Sequence, residues 1–335
     1  MTIKDLAEKT GYAVATVSRA LIGHPNVSEK AREAILQAAE ESGFQLNTNA
    51  KQLKQQHATS ILVVVKGTFN ELFSGLVQEI QNFLADTRYP LIVDYMDEDD
   101  NEVLRAIQLC REKKPLGILF LGGNQAHFRR DFHRISVPCV LVTNDASGLD
   151  FENLSSVYVD DRQAVRCAME ALMDLGHRKI AMIGGDPTVS DISRQRLQGC
   201  LDALGSRGLS FDPELDYRAV RFSYADGYRA AASLLASGRQ FTALFAASDV
   251  MAIGAIRALK DRGLRVPEDV SVMGFDGLEL GSYLVPKLAT VAQPVRELAQ
   301  RSIDILTSCI QDGISHHESV PFEVRKLESV QVPGE

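Results

Sequence analysis

Arg196, Asp276, Phe73 and Phe222 have between them the chemistry to grip a polyhydroxylated molecule. Arginine and aspartate each engage two adjacent hydroxyls, and an aromatic face covers the C–H side of a sugar ring. Each follows a short β-rich run. Leu72 and Phe73 come after Ile61–Val65, Asn144 and Asp145 after Val140–Val142, and Phe222 after Arg218–Arg221. Ser248 and Asp249 come after Ala243–Ala246, Asp276 closes Val270–Phe275, and Arg196 opens the helix expected after Ile180–Gly185. Open α/β sheets bind ligands beyond the carboxyl ends of their strands, so all of these are candidate contacts around one cleft. Asp249 and Asp161 equally fit the role of helix caps, and Phe222 that of a core residue. A second group lies near the N terminus. Arg19 carries the fork that suits guanine O6 and N7 and equally fits a solvated surface position, while Thr16, Ser18 and Ser28 can hold phosphates, Ser28 equally serving as a helix cap.

The elements around the N-terminal group are helical. Thr2-Ile3-Lys4-Asp5 has capping-box form, and the helix it opens stops at Thr10-Gly11. A second helix is expected from near Val14 through Leu21, with Val17 and Leu21 in the core, until Gly23-His24-Pro25-Asn26 breaks it. Ser28 is placed to cap a third, where Ile35, Leu36 and Ala39 recur at helical spacing. Two short helices joined by a tight turn, with a third in support, form a helix-turn-helix candidate. From Ser60 onward β-rich runs alternate with amphipathic helices, in two successive series. That pattern predicts two doubly wound parallel-sheet lobes. Tyr158–Asp160 reads as the passage between them. Ala289–Gln293 reads as a return strand into the first lobe and Phe322–Val330 as a final strand.

At 335 residues the chain exceeds one small core, and domains of roughly 100–200 residues imply two or three units. A content of 45% hydrophobic and 24% charged residues is that of a globular protein. No basic-then-apolar leader opens the chain and no apolar run is long enough to span a bilayer, so a cytoplasmic location without membrane contact is expected. The five scattered cysteines read as small hydrophobes in a reducing compartment, and neither they nor the seven histidines form a metal motif. No metal or cofactor is expected. The net charge of −8 splits into +1 over residues 1–58 and −9 beyond, which suits a DNA-binding head on an acidic body.

Thr2-Ile3-Lys4-Asp5-Leu6-Ala7, Ala15-Thr16-Val17-Ser18-Arg19-Ala20-Leu21 and Val27-Ser28 together resemble the DNA-binding head of the LacI/GalR family. Asn47-Thr48-Asn49-Ala50-Lys51-Gln52-Leu53 resembles its hinge helix. Arg196-Leu197-Gln198-Gly199, Ser248–Gly254 and Val272–Asp276 then fall in the family's order, so the resemblance covers essentially the whole chain. It implies a helix-turn-helix head over 1–45, a hinge over 46–58 and a periplasmic-binding-protein-like core over 59–335. The first lobe would span about 59–157 and 289–318, the second about 158–288 and 319–335. It also implies that Val14 and Ala15 face bases, that Leu53 wedges into the minor groove, and that Thr2, Asn26, Asn47, Ala50 and Lys54 touch DNA. The departures are Ala13, where the family usually has serine, Ile22 for asparagine and Ala31 for threonine. Each removes a polar group able to cap a helix or meet a phosphate.

The function expected from the resemblance is that of a transcription regulator, a repressor by family habit, on a pseudo-palindromic operator. Its affinity would be set by a small molecule between the lobes, a sugar or sugar derivative. The alternatives are a purine, sandwiched by Phe73 and Phe222, and a catalytically inactive sugar-binding protein. Arg196→Ala or Asp276→Ala would abolish the ligand response and spare unliganded DNA binding. A periplasmic binding protein would need an export signal and lack the head. An enzyme is disfavoured because no G-x-G-x-x-G follows a strand and neither G-x-S-x-G nor G-x-x-x-x-G-K occurs. Val330–Glu335 adds no heptad helix, so a homodimer that stays a dimer is expected.

Overall fold

The computed structural model describes residues 3–21, 27–42, 59–67 and 70–334. It separates into two units, Met1–His57 and Ala58–Glu335. The smaller unit holds the helices Ile3–Thr10, Val14–Leu21 and Glu29–Glu41. Gly11 adopts φ +71°, a left-handed conformation that ends the first helix within one turn. Leu6, Val17 and Ile35 are fully buried at the centre, with Leu21 packed against them half-buried.

The larger unit is built on two six-stranded sheets. The first has strand order β11-β5-β4-β3-β1-β2 and the second β12-β10-β9-β8-β6-β7. Here β1 is Ile61–Lys66, β2 Leu91–Met96, β3 Gly117–Leu121, β4 Cys139–Val142, β5 Leu154–Tyr158 and β11 His317–Ser319. The second sheet takes β6 Ile180–Gly184, β7 Tyr217–Ala219, β8 Ala243–Ala246, β9 Ser271–Asp276, β10 Ala289–Ala292 and β12 Glu323–Arg325. Ile61–Val65 and Ile118–Leu121 are buried on both faces, as strands covered by helices above and below must be. All neighbours pair parallel except β10 and β12. Helices after the strands start on side chains that accept from their own first-turn amides: Asn70, Asn101, Asn124, Asp160, Ser190 and Ser223.

The chain crosses between lobes three times. It leaves the first at Tyr158–Asp160, returns after Gln293, and leaves again between Ser319 and Glu323. The expected assignment of Ala289–Gln293 to the first lobe is corrected here. This strand pairs with β9 and β12 in the second sheet, and the element that returns is the helix Val295–Asp312, packed on β3, β4 and β5. An apolar strand reads the same in either sheet, so only pairing distinguishes them. The final strand is also shorter than Phe322–Val330, being Glu323–Arg325, and the strand expected over Arg218–Phe222 is Tyr217–Ala219.

The helices Tyr224–Ala236 and Asp249–Asp261 touch backbone to backbone. A Cβ on Gly254 would overlap the Tyr224 carbonyl oxygen, and one on Gly227 the Met251 carbonyl oxygen. Overpacking costs about 1–3 kcal/mol where side chains can yield, and here the obstruction is main chain. Gly254→Val is therefore expected to cost at least ~3 kcal/mol. Gly205→Ala, with open space around it, should gain about 0.5–1 kcal/mol in its helix. Thermal denaturation of both variants checks this, and equal melting temperatures would contradict it.

Candidate functional site

A cleft of about 910 Å³ lies between the two lobes, at the carboxyl ends of the strands. The first lobe contributes Lys66 and Gly67 after β1, Asp97–Asp99 after β2, Gly122–Asn124 after β3 and Thr143 after β4. The second contributes Gly185 and Asp186 after β6, Arg221 and Phe222 after β7, Asp276 at the end of β9 and Gln293 after β10. In both sheets the strand order reverses beside these loops, where successive connections run to opposite sides and leave a crevice. Phe73 lies against Gly122 and Phe222 against Gly185. A Cβ on either glycine would come within 3 Å of the ring it faces.

Arg196 is the best-held side chain of the second wall. Its Nε donates to Asp161 at 2.7 Å and Nη1 to the Ala247 carbonyl at 2.5 Å, while the guanidinium lies 3.8 Å from the Phe275 ring centroid. Asp276 is buried and accepts from Gln293 Nε2 at 2.9 Å. Its backbone takes φ +116°, a conformation rare outside glycine. Burial pushes its carboxyl up to about 7, against the pull of Arg196 and Gln293. On the facing wall Glu102 is fully buried. It accepts from Lys66 Nζ at 2.6 Å and the Asn124 amide at 2.6 Å, and pairs with His127 Nδ1 at 2.9 Å. Burial alone would raise this carboxyl, but those bonds outweigh it and hold it below the usual range.

Direct contacts join the lobes across the mouth. Arg221 pairs with Asp97 at 2.6 Å, Asp99 at 3.3 Å and Glu98, and Tyr224 donates its hydroxyl to Glu71. Asn124 Nδ2 donates to the Val189 carbonyl at 2.9 Å. The Arg221 side chain is half exposed, so its pairs are individually weak and screened by salt.

Of the residues singled out by sequence, Leu72, Phe73, Arg196, Phe222 and Asp276 line the cleft; Asn144, Asp145, Ser248 and Asp249 do not. Asn144 turns its amide to the Gly123 carbonyl, and Asp145 accepts from the amide and hydroxyl of Ser147. Ser248 caps the helix Asp249–Asp261 by accepting from the Met251 amide. Asp249 accepts from Thr290 Oγ1 and the Leu278 amide, both at 2.7 Å, and burial, then the nearby Asp276 charge, pushes it up to about 8. Lys66, His127, Thr143, Ser193, Arg221 and Gln293 line the cleft and escaped the sequence reading. Thr143 was one residue away, at φ +76° directly after β4. Gln293 was hidden by the misplaced strand before it. Ser193 sits one helical turn before Arg196.

In the small unit Val14, Ala15 and Arg19 are exposed and Thr16 and Ser18 half-buried, while Val17 and Ala20 turn inward. Ser28 holds the N-cap position of Glu29–Glu41, yet its side chain makes no capping hydrogen bond. Thr2, Asn26, Asn47, Ala50, Leu53 and Lys54 lie outside the described residues.

Residues 2–47 match the family model described as bacterial regulatory proteins, lacI family, and residues 169–329 that of a periplasmic binding protein-like domain. The HTH-type transcriptional regulator MalR of Clostridium butyricum is 36% identical over 98% of this chain and 99% of its own. This chain belongs to the LacI family. It is a DNA-binding transcription regulator with a helix-turn-helix head and a periplasmic-binding-protein-like core. The lac repressor dimer bound to operator and an anti-inducer superimposes with a TM-score of 0.75 at 26% identity, covering 99% of both chains. The transcriptional regulator CelR in complex with cellobiose gives 0.68 at 27% identity, covering 98% of this chain and 99% of that one. Against the usual LacI-family pattern, Ala31 proves to be a core residue, 5% exposed, so its methyl packs where a hydroxyl was expected to meet phosphate. Ala13 receives the Thr16 and Val17 amides on its carbonyl alone. No helix among the described residues is long and apolar enough to cross a membrane.

Proposed function

We propose that this LacI-family protein is a transcriptional repressor that binds a pseudo-palindromic operator as a homodimer and is controlled by a saccharide held between its lobes. The observation that carries this reading is the cleft itself. Two aromatic rings, each seated on a glycine, share it with a buried carboxylate and an anchored guanidinium, the groups that cover a sugar ring and bind its hydroxyls. The solved relative holding cellobiose in its complex supports the ligand class, and the operator-bound lac repressor dimer supports the mode of DNA binding. In this reading the ligand leaves unchanged, and its binding shifts the lobes between arrangements that differ in operator affinity.

A thermal-shift screen over unmodified sugars, with nucleobases and nucleosides alongside, tests the ligand class, since a ligand of the folded state raises the melting temperature. A shift with a purine and none with any sugar would replace this reading by the purine one. For DNA, duplexes selected from a random pool provide the operator. Arg19→Ala is expected to weaken binding to it by about 1–3 kcal/mol and to relax base preference at one position of each half-site. Anisotropy titrations over several duplexes decide it. Uniform weakening across sequences would make Arg19 a phosphate contact.

A further inference from the structure

The charges around the cleft carry the reading of the ligand further, and the inference rests on the cleft being the effector site. Three lining side chains are permanent cations, Lys66, Arg196 and Arg221, and each is already matched by a carboxylate. Lys66 faces Glu102, which also takes His127; Arg196 faces Asp161; Arg221 faces Asp97, Glu98 and Asp99. Three further carboxylates line the same space. Asp186 accepts from Thr188 and Asp226 from Ser223 and Arg229, while Asp276, bonded to Gln293 and near Arg196, carries only part of a charge at neutral pH. Among the described residues the surplus in the cleft is therefore negative, and none of its permanent cations stands without a carboxylate.

A second observation points to hydroxyls. Ser193 is 1% exposed, lines the cleft, and its Oγ has no hydrogen-bond partner among the described residues. The backbone of Gly185 makes room for it, since a Cβ there would overlap this oxygen. A buried hydroxyl left alone loses its hydration without return, and a ligand hydroxyl restores the bond.

We propose that the cleft selects an uncharged, hydroxyl-rich saccharide and rejects its phosphorylated form, with Ser193 hydrogen-bonding one ligand hydroxyl. A phosphoryl group brings close to two negative charges into a space with surplus carboxylates, and to reach a guanidinium or ammonium it must displace a carboxylate already bonded there. Neutral hydroxyls face no such exclusion. They donate to Asp276 and Asp186 and accept from Arg196 and Asn124.

Calorimetric titration of the full-length protein with glucose, ribose, maltose and cellobiose, each beside its terminal phosphate ester, tests the charge rule. One neutral sugar is expected to bind, with its ester at least tenfold weaker. An ester that binds as well or better overturns the charge rule while leaving a saccharide effector in place. Binding of no sugar in either form removes the saccharide reading and the proposal with it. Ser193→Ala is expected to weaken the neutral sugar about 2- to 10-fold without lowering the melting temperature of the unliganded protein, because no protein contact is lost. Unchanged affinity in that variant overturns the role of Ser193. A lowered melting temperature would show that its hydroxyl serves the fold.

Discussion

Arg196→Ala is expected to destabilise the larger unit by about 3–5 kcal/mol and to abolish the response to effector together with it. The guanidinium is 5% exposed and bonded to Asp161 and to the Ala247 carbonyl. Without it Asp161 remains buried without its ion pair, and Asp276 loses the nearby charge that opposes its rise. Burial already pushes Asp161 above the usual carboxylate range even with the arginine present. Stripping one partner from a buried pair costs more than the pair ever contributed, because an uncompensated charge is left behind. The expectation that unliganded DNA binding would be spared therefore changes. Against a total stability of 5–15 kcal/mol typical of domains, such a loss lowers the folded fraction on warming. Urea unfolding gives the stability, and operator anisotropy at low temperature gives the DNA affinity of the folded remainder. A urea midpoint equal to the parent's would show that Arg196 is held for ligand alone. Arg196→Lys separates charge from geometry. An ammonium restores the charge but not the fork that reaches Asp161 and Ala247 at once, so it should recover part of the stability.

The two-lobed architecture was legible because strands such as Ile61–Val65 are apolar on both faces and followed by amphipathic helices, a pattern with few solutions. The helix Val14–Leu21 was legible because Val17 and Ala20 recur at helical spacing between more exposed residues. Membership of Ala289–Ala292 was not legible, since a four-residue apolar strand carries no mark of its sheet. The site divides along the same line. Position after a strand does not say which side chain turns into the cleft. Thr143 faces it and Asn144 beside it does not. Ser248 and Asp249 follow β8 yet spend their oxygens on the Met251 amide, Thr290 and the Leu278 amide. Lys66, Glu102 and His127 are far apart in sequence and meet only when β1, the helix Glu102–Lys113 and the helix Gln125–Asp131 converge.

Asp276→Asn should move stability and function in opposite directions. Burial pushes the native carboxyl up to about 7, whereas an unfolded aspartate titrates near its ordinary value of 3.8. From pH 4 upward the unfolded chain releases this proton and the folded chain retains it, so the native state loses relative stability as pH rises through about 7. An asparagine has no proton to lose and keeps an oxygen for Gln293. It has the shape of the aspartate it replaces, which already adopts the φ of +116°. The variant should match the parent near pH 4 and exceed it by a few kcal/mol, on the order of magnitude of the shift, at pH 8. Asp249, pushed up to about 8 in part by the Asp276 charge, becomes easier to ionise in the variant and adds to the gain. The effector, by contrast, loses a charged acceptor. Hydrogen bonds to an ionised group contribute more than neutral ones, and a drop of about ten- to hundredfold in sugar affinity is expected. Melting curves from pH 4 to pH 8, paired with sugar titrations at pH 8, measure both effects. A stability difference that does not vary with pH would mean that Asp276 is ionised throughout, and that its burial is compensated by Arg196 after all.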